Sequence, residues 1–148
     1  MLIKFIKNRK LEIDKLNRMI SKITDLNNLK GIRISTSSYF IKKTHLKKNI
    51  NYLYKSVITI SNKSKNSIQI LSKHKKVLEI YGVKRLNSIL KDKPIIKPGK
   101  KITLNLNYSI KSKLATIIGY FSIISLNNST KFKAYIPKIK LTHPEILN

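Results

Sequence analysis

The chain has 148 residues, with 32 Lys+Arg against 6 Asp+Glu and a formal charge of +26 at pH 7. That excess excludes an ordinary enzyme surface, where both signs are interspersed and net charge is a few units. It points instead to a polyanionic partner, nucleic acid or an anionic membrane surface. A hydrophobic share of 41% excludes a disordered basic tail, and zero cysteines exclude disulfides and thiolate metal sites. The basic residues are nearly all Lys, Ile and Asn are abundant and Trp is absent, as AT-rich coding produces. Such a bias inflates Lys without depleting acids, so the scarcity of Glu12, Asp14, Asp25, Glu79, Asp92 and Glu145 is the more telling half of the imbalance.

Residues 1–30 read as a basic amphipathic helix. Leu2, Ile6, Ile13, Leu16, Ile20 and Ile23 share one side at helical spacing, with Lys4, Lys7, Lys15, Arg18 and Lys22 opposite. Asn27-Asn28 and Gly31 supply the stop. The apolar side predicts a helix docked on the domain or wedged between it and a polyanion; a membrane-surface helix shares the pattern. No run of about 18 apolar residues exists, so no transmembrane segment is expected. The N-terminus is Lys-rich rather than Arg/Ser-rich and holds Glu12 and Asp14, which argues against a cleavable targeting signal.

From Gly31 the texture changes to short β-prone segments broken by turns. The first is Ile32–Phe40, followed by a basic loop with Lys42, Lys43, Lys47 and Lys48. The second is Tyr54–Asn62, with Tyr54, Ser56, Ile58 and Ile60 on one face. A Lys63–Asn66 turn leads into a strand from Ile68 through His74 to Ile80. Residues Gly82–Lys93 read as irregular, and Pro94 opens an extended stretch into a Pro98-Gly99 turn. Then come Lys101–Tyr108, with Ile102, Leu104 and Leu106 inward, and Ala115–Ser125. The last pair, Lys131–Ile136 and Lys138–Leu141, hinges at Pro137 and turns Phe132, Ala134, Ile136, Ile139 and Leu141 inward. Lys131, Lys133, Lys138 and Lys140 point out. About seven strands at this spacing predict a mainly β fold, a β-sandwich preceded by the helix.

Five pieces in order carry a family resemblance. Ile58-Thr59-Ile60-Ser61-Asn62 and Ile68-Gln69-Ile70-Leu71-Ser72-Lys73-His74 look like "ITIxN…VQLLSRHW". Pro94-Ile95-Ile96-Lys97-Pro98-Gly99-Lys100 is similar to "QPxIxPGE", and Gly119-Tyr120-Phe121 to "GxY". Phe132 through Pro144 looks like "FxVxIPxFxLxxP". Together they resemble the ApaG family over roughly residues 31–147, which implies an immunoglobulin/fibronectin-III-like β-sandwich at 31–148 behind a helical extension at 1–30. The chain departs from the family where the "GxGVVG" glycines would fall on Leu86, Ser88 and Lys91, and where the Trp after His is Lys75. A phosphate cradle needs glycine for close backbone approach, so a nucleotide pocket is not expected here. The resemblance reads as a sandwich scaffold with a new basic surface.

No catalytic or metal constellation is expected. His45, His74 and His143 are far apart and read as surface or phosphate-facing groups, and the acids are too scattered for paired carboxylates. No cofactor, small-molecule substrate or enzymatic activity is expected. The candidate RNA contacts are Lys4, Lys7, Lys15, Arg18 and Lys22 of the helix, with Lys42, Lys43, Lys47, Lys48, Lys63, Lys65, Lys73, Lys75, Lys76, Lys84, Arg85, Lys100 and Lys101 of the sandwich. Lysine meets phosphate as a point charge and carries no base information. Tyr39, Tyr52 and Tyr81 flank such clusters as candidates for stacking on unpaired bases, or for capping the core. These features favour a structural RNA-contacting component of a large ribonucleoprotein, a mitochondrial or other organellar ribosome, with ribosomal RNA and ribosomal proteins as partners. The alternative is a stand-alone ApaG-family protein-interaction or ligand-binding module.

Overall fold

A computed structural model describes the backbone of residues 2–147, and every side chain in it except those of residues 2, 3, 5, 6, 16, 19–25, 29, 46 and 147. Helix α1 runs Leu2–Leu29. Gly31 closes it at φ +72°, a left-handed conformation that glycine adopts without steric cost. Residues 7–15 all face solvent, and Ile13, expected on the docking face, is 56% exposed. The side chains of Leu2, Ile6, Leu16, Ile20 and Ile23 lie outside the described residues.

The strands follow as β1 (Ile32–Leu46), β2 (Asn49–Asn62), β3 (Ile68–Glu79), β4 (Gly82–Ile89), β5 (Ile95–Ile96), β6 (Lys101–Ile110), β7 (Leu114–Ser125) and β8 (Lys131–Thr142), with a short helix α2 at Pro144–Leu147. One sheet has the order β1-β2-β6 and the other β4-β3-β7-β8, with β5 also paired to β3; all the pairings are antiparallel. The fold is therefore mainly β, an antiparallel sandwich behind a helix. Alternation in β2 buries Tyr54, Ser56, Ile58 and Ile60 on one face, and β8 turns Ala134, Ile136, Ile139 and Leu141 into the core.

Three expectations change. The basic loop after Phe40 is strand: β1 continues through Lys42 and Lys43 past an irregularity between Phe40 and Lys42, leaving Lys47 and Lys48 as the turn. The stretch from Gly82 is not irregular up to Ile89; it is the edge strand β4. Its alternation is faint because Leu86 is its only residue not fully exposed, and with little buried there is little apolar period to read. The two segments hinged at Pro137 are one strand, in which two residues of β8, Pro137 and Lys138, stand opposite one of β7, Ile118.

Asn62 explains its place in the sequence pattern. It is wholly buried, donates to the carbonyls of Asn66 (2.8 Å) and Ile96 (2.9 Å), and accepts from the Ser64 amide and hydroxyl at 3.0 and 2.6 Å. One side chain thus ties the β2–β3 turn to β5. Gly119 is needed for a different reason: a Cβ there would meet the His74 carbonyl oxygen at 2.2 Å, so β3 and β7 approach too closely for a side chain.

Helix α1 is fastened by Asn27, which is buried. Its amide donates to the Tyr135 carbonyl (2.7 Å) and accepts from the Tyr135 N–H (2.9 Å). Tyr135 lies on β8, an outer strand of its sheet, so the Asn27 side chain stands in for a neighbouring strand at one residue. Replacing Asn27 with Ala should remove both bonds and cost about 1–3 kcal/mol. Asn27→Asp, which keeps the acceptor but sets a buried carboxylate against the Tyr135 carbonyl, should cost at least as much as Asn27→Ala. Urea unfolding measures the loss, and protease susceptibility at Lys30 reports helix release; unchanged values in both would show that the clamp is dispensable.

Candidate functional site

Six acids can neutralise at most six of the 32 cations. Glu145 is committed to Lys113, and Glu79 accepts from Ser112 at 3.1 Å. Lys4, Lys7, Lys15 and Arg18 on α1 are exposed, as are Lys42, Lys43, Lys47, Lys48, Lys63, Lys65, Lys76, Lys84, Arg85, Lys100 and Lys101 on the sandwich. The side chain of Lys22 lies outside the described residues. These cations are distributed over both sheets and several turns rather than gathered in one stripe.

Lys75 does not join them. It is 6% exposed, with its Nζ donating to the Tyr108 hydroxyl at 3.3 Å and standing 4.8 Å from that ring's centre. Lys73, on the same face of β3, is half-buried. Both turn inward because the register breaks between Ile70 and Ser72, where one extra residue, Leu71, switches the faces of the strand. Burial, and then the charge of Lys73, lower the Lys75 ammonium from 10.5 to about 8, while burial pushes the Tyr108 hydroxyl up to about 12.

Two further assignments change. Tyr52, a candidate stacking residue, is buried in the core, while Tyr39 and Tyr81 are exposed at 51% and 71%. His143, expected at the surface, is buried against Phe40 (ring centres 4.5 Å) and Tyr52 (5.4 Å). Its Nδ1 accepts the Glu145 amide at 3.1 Å, so it holds the start of α2. His45 is exposed.

The solvent face of the β4-β3-β7-β8 sheet carries a group the sequence reading did not assemble. His74, Tyr120 and Tyr135 stand at directly opposed positions on β3, β7 and β8. His74 stacks on Tyr120 (4.7 Å, 22°), and Tyr120 meets Tyr135 edge-on (6.0 Å, 61°). Lys133 lies 4.7 Å from the Tyr120 centroid. The imidazole is oriented by the Ser72 hydroxyl (2.9 Å) and the Asn87 side-chain oxygen (3.3 Å). The available signal was parity: Tyr120 and Tyr135 each adjoin a core residue, Phe121 and Ala134, and so must face out. A separate open cleft of about 600 Å³ lies between β4 and β6, lined by residues including Val77, Tyr81, Lys84, Leu86 and Tyr108.

The burial of Lys75 has a pH signature. Its folded value, about 8, lies below the ordinary 10.5, so between those values the unfolded chain holds a proton that the folded chain lacks. The residue's penalty is therefore full below pH 8 and fades as pH rises towards 10.5. Lys75→Met should stabilise the protein at pH 7 by roughly 1–2 kcal/mol, allowing for residual solvent access, and the gain should shrink towards pH 10.5. Paired thermal melts of the two proteins across that range measure it. A loss of stability at pH 7 would contradict a buried ammonium.

Comparison with known proteins shows what the whole chain is similar to. No protein-family model matches the chain. It is similar to the ApaG protein of Dechloromonas aromatica, 25% identical over 124 residues that cover 79% of this chain and 94% of that protein. The ApaG protein of Photobacterium profundum matches at 25% identity over 121 residues, with the same coverage. Among solved structures, a Northeast Structural Genomics Consortium target named SoR45 superposes with a TM-score of 0.76 at 19% identity, over 83% of this chain and 93% of that one. The ApaA protein of Bordetella pertussis superposes with a TM-score of 0.67 at 15% identity, over 76% and 94%. The chain is thus similar in sequence to ApaG proteins through almost their full length, and it shares the sandwich fold of these structures.

Proposed function

We propose that this chain acts as a stand-alone ApaG-family binding module whose partner is polyanionic. The observation that carries the first half is coverage: the match runs through 94% of the ApaG relatives' own length, so the sandwich corresponds to nearly a whole module. The second half rests on charge. The chain carries 26 more cations than acids, and outward positions of both sheets hold many of the described ones. Self-repulsion on that scale is relieved by a polyanion, with release of the partner's counterions as the driving force. In this reading the module binds rather than turns over a substrate.

A second reading keeps the same surface but makes the protein a fixed RNA-contacting part of an organellar ribosome, in a mitochondrion. Its support is the spread of cations over many sides of the molecule, which suits a protein surrounded by RNA. The relatives found are ApaG proteins, which favours the module.

Sedimentation of cell extract through a density gradient separates the two. The module should remain near the top of the gradient, or return there once heparin or nuclease is added. Co-migration with a ribosomal subunit that survives a high-salt wash would overturn it in favour of the second reading. The purified protein should also bind heparin with an affinity that falls steeply between low and physiological salt. Salt-insensitive binding, or none, would remove the polyanionic partner.

A further inference from the structure

We infer that the solvent face of the β4-β3-β7-β8 sheet is a platform for single-stranded nucleic acid, on which His74, Tyr120 and Tyr135 stack unpaired bases while Lys76, Arg85 and Lys133 hold the flanking phosphates. The inference rests on the polyanion-binding reading and deepens it by naming the site and the class of polyanion.

The geometry comes from the strand registers. Tyr120 is opposite both His74 and Tyr135, so the three rings form one row across β3, β7 and β8. Neighbouring strands stand about 4.8 Å apart, which gives the row a length of roughly 10 Å. Sheet faces that present aromatic rings in this way accommodate about two or three stacked bases. All three side chains are half-buried, so each keeps part of its surface in solvent rather than being sealed in the core.

Charge brackets the row along the strands. On one side Lys76 and Arg85 are directly opposed on β3 and β4, and both are exposed. On the other side Lys133 is opposite Ser122, one outward position along from the rings, with its ammonium 4.7 Å from the Tyr120 centroid. Outward positions along a strand repeat about every 6.6–6.8 Å, so cations lie one step to either side of the rings. Among the described residues of these rows there is no acid; Glu79 belongs to the opposite parity of β3, bonded to Ser112.

Three features favour single strands over other polyanions. A sheet face is broad and does not enter a duplex groove, which admits a helix or a two-stranded ribbon. Stacking requires bases already out of a helix, and it tolerates any sequence because every base has a π-face. A heparin-like or acidic-protein partner would use the cations and leave the row of rings without a role. Cross-strand aromatic pairs also stabilise sheets by themselves, so the test must separate stability from binding.

Fluorescence anisotropy on the full chain does this with a labelled oligouridylate of about 12 nucleotides, within the roughly 4–16-nucleotide range of single-strand sites, and with a duplex of equal length. The wild type should bind the single strand at least about tenfold more tightly than the duplex. Tyr120→Leu with Tyr135→Leu should lower single-strand affinity by about tenfold or more, leaving duplex and heparin binding unchanged, as expected where rings stack on unpaired bases. If that variant melts early, Lys76→Gln with Arg85→Gln and Lys133→Gln carries the test, since it spares the rings. It should reduce the slope of log affinity against log salt by about 2 for the single strand. An equal removal of charge from the other sheet, Lys42→Gln, Lys43→Gln and Lys101→Gln, should reduce single-strand affinity less.

Equal affinity for the single strand and the duplex would overturn the platform, as would a folded tyrosine variant that binds like the wild type. So would tighter binding of poly-glutamate than of the oligonucleotide, lost in the same variants, which would identify an acidic protein partner instead. In each case heparin binding would survive and the polyanion reading with it. Failure of the wild type to bind any of these polyanions would remove both.

Discussion

Everything in this molecule is arranged around keeping ammonium groups in water. An unpaired buried ammonium costs several kcal/mol, and 32 cations share a chain with only 6 acids. In a sandwich the only device for sorting them is strand parity, because successive side chains face opposite ways. The register break in β8 shows how strict the sorting is. Phe132, Ala134 and Ile136 face inward; without the break at the Pro137–Lys138 step, Lys138 and Lys140 would follow them. With it, Ile139 and Leu141 are buried and Lys140 is exposed. One extra residue keeps two lysines out of the core.

The break in β3 has a less tidy outcome, and it shows what sorting by parity costs. Leu71 turns Val77 into the core at 2% exposure, yet it also turns Lys73 and Lys75 inward. Lys75 is tolerable because its aliphatic stem can pack as an apolar group, while its nitrogen finds the Tyr108 hydroxyl and ring. The adjacent residue His74 gains the outward face and its stack on Tyr120. A single bulge thus determines both the buried lysine and the aromatic row. The absent side chain of Gly119 lets β3 and β7 close on each other at that point.

Much of the fold could be read in the sequence because alternation is strong wherever one face is buried. β2, β6 and the two halves of β8 follow the expected faces. What was hidden follows from places where alternation carries no information. β4 lies at the edge with both faces mostly in water, so its pattern is weak. Bulges reverse parity without a reliable residue signature, which is why Lys73 and Lys75 looked like surface cations. Tyr52 and His143 were missed for a simpler reason: they continue the inward parity of Tyr54 and Leu141 just beyond where those strands were expected to end. The aromatic row was hidden for another reason. His74, Tyr120 and Tyr135 are far apart in the chain, and only the pairing of β3 with β7 and β7 with β8 makes them neighbours.

Net charge alone is a weak guide to what this surface does, since it also serves the fold. Edge strands are templates for unwanted pairing, and charged side chains on them prevent it. β4 leaves Val83 and Ile89 exposed at 63% and 74%, with Lys84 and Arg85 between them acting as such a guard. On the opposite side the β8 edge is protected differently, by the Asn27 amide and by the Ser38 hydroxyl donating to the Lys140 carbonyl at 3.1 Å. Some of the excess therefore protects edges, so a total of +26 does not single out a binding face. Arrangement does: cations one step to either side of three aligned rings, on a face with no acid among its described central rows, set this sheet face apart from the rest of the basic surface.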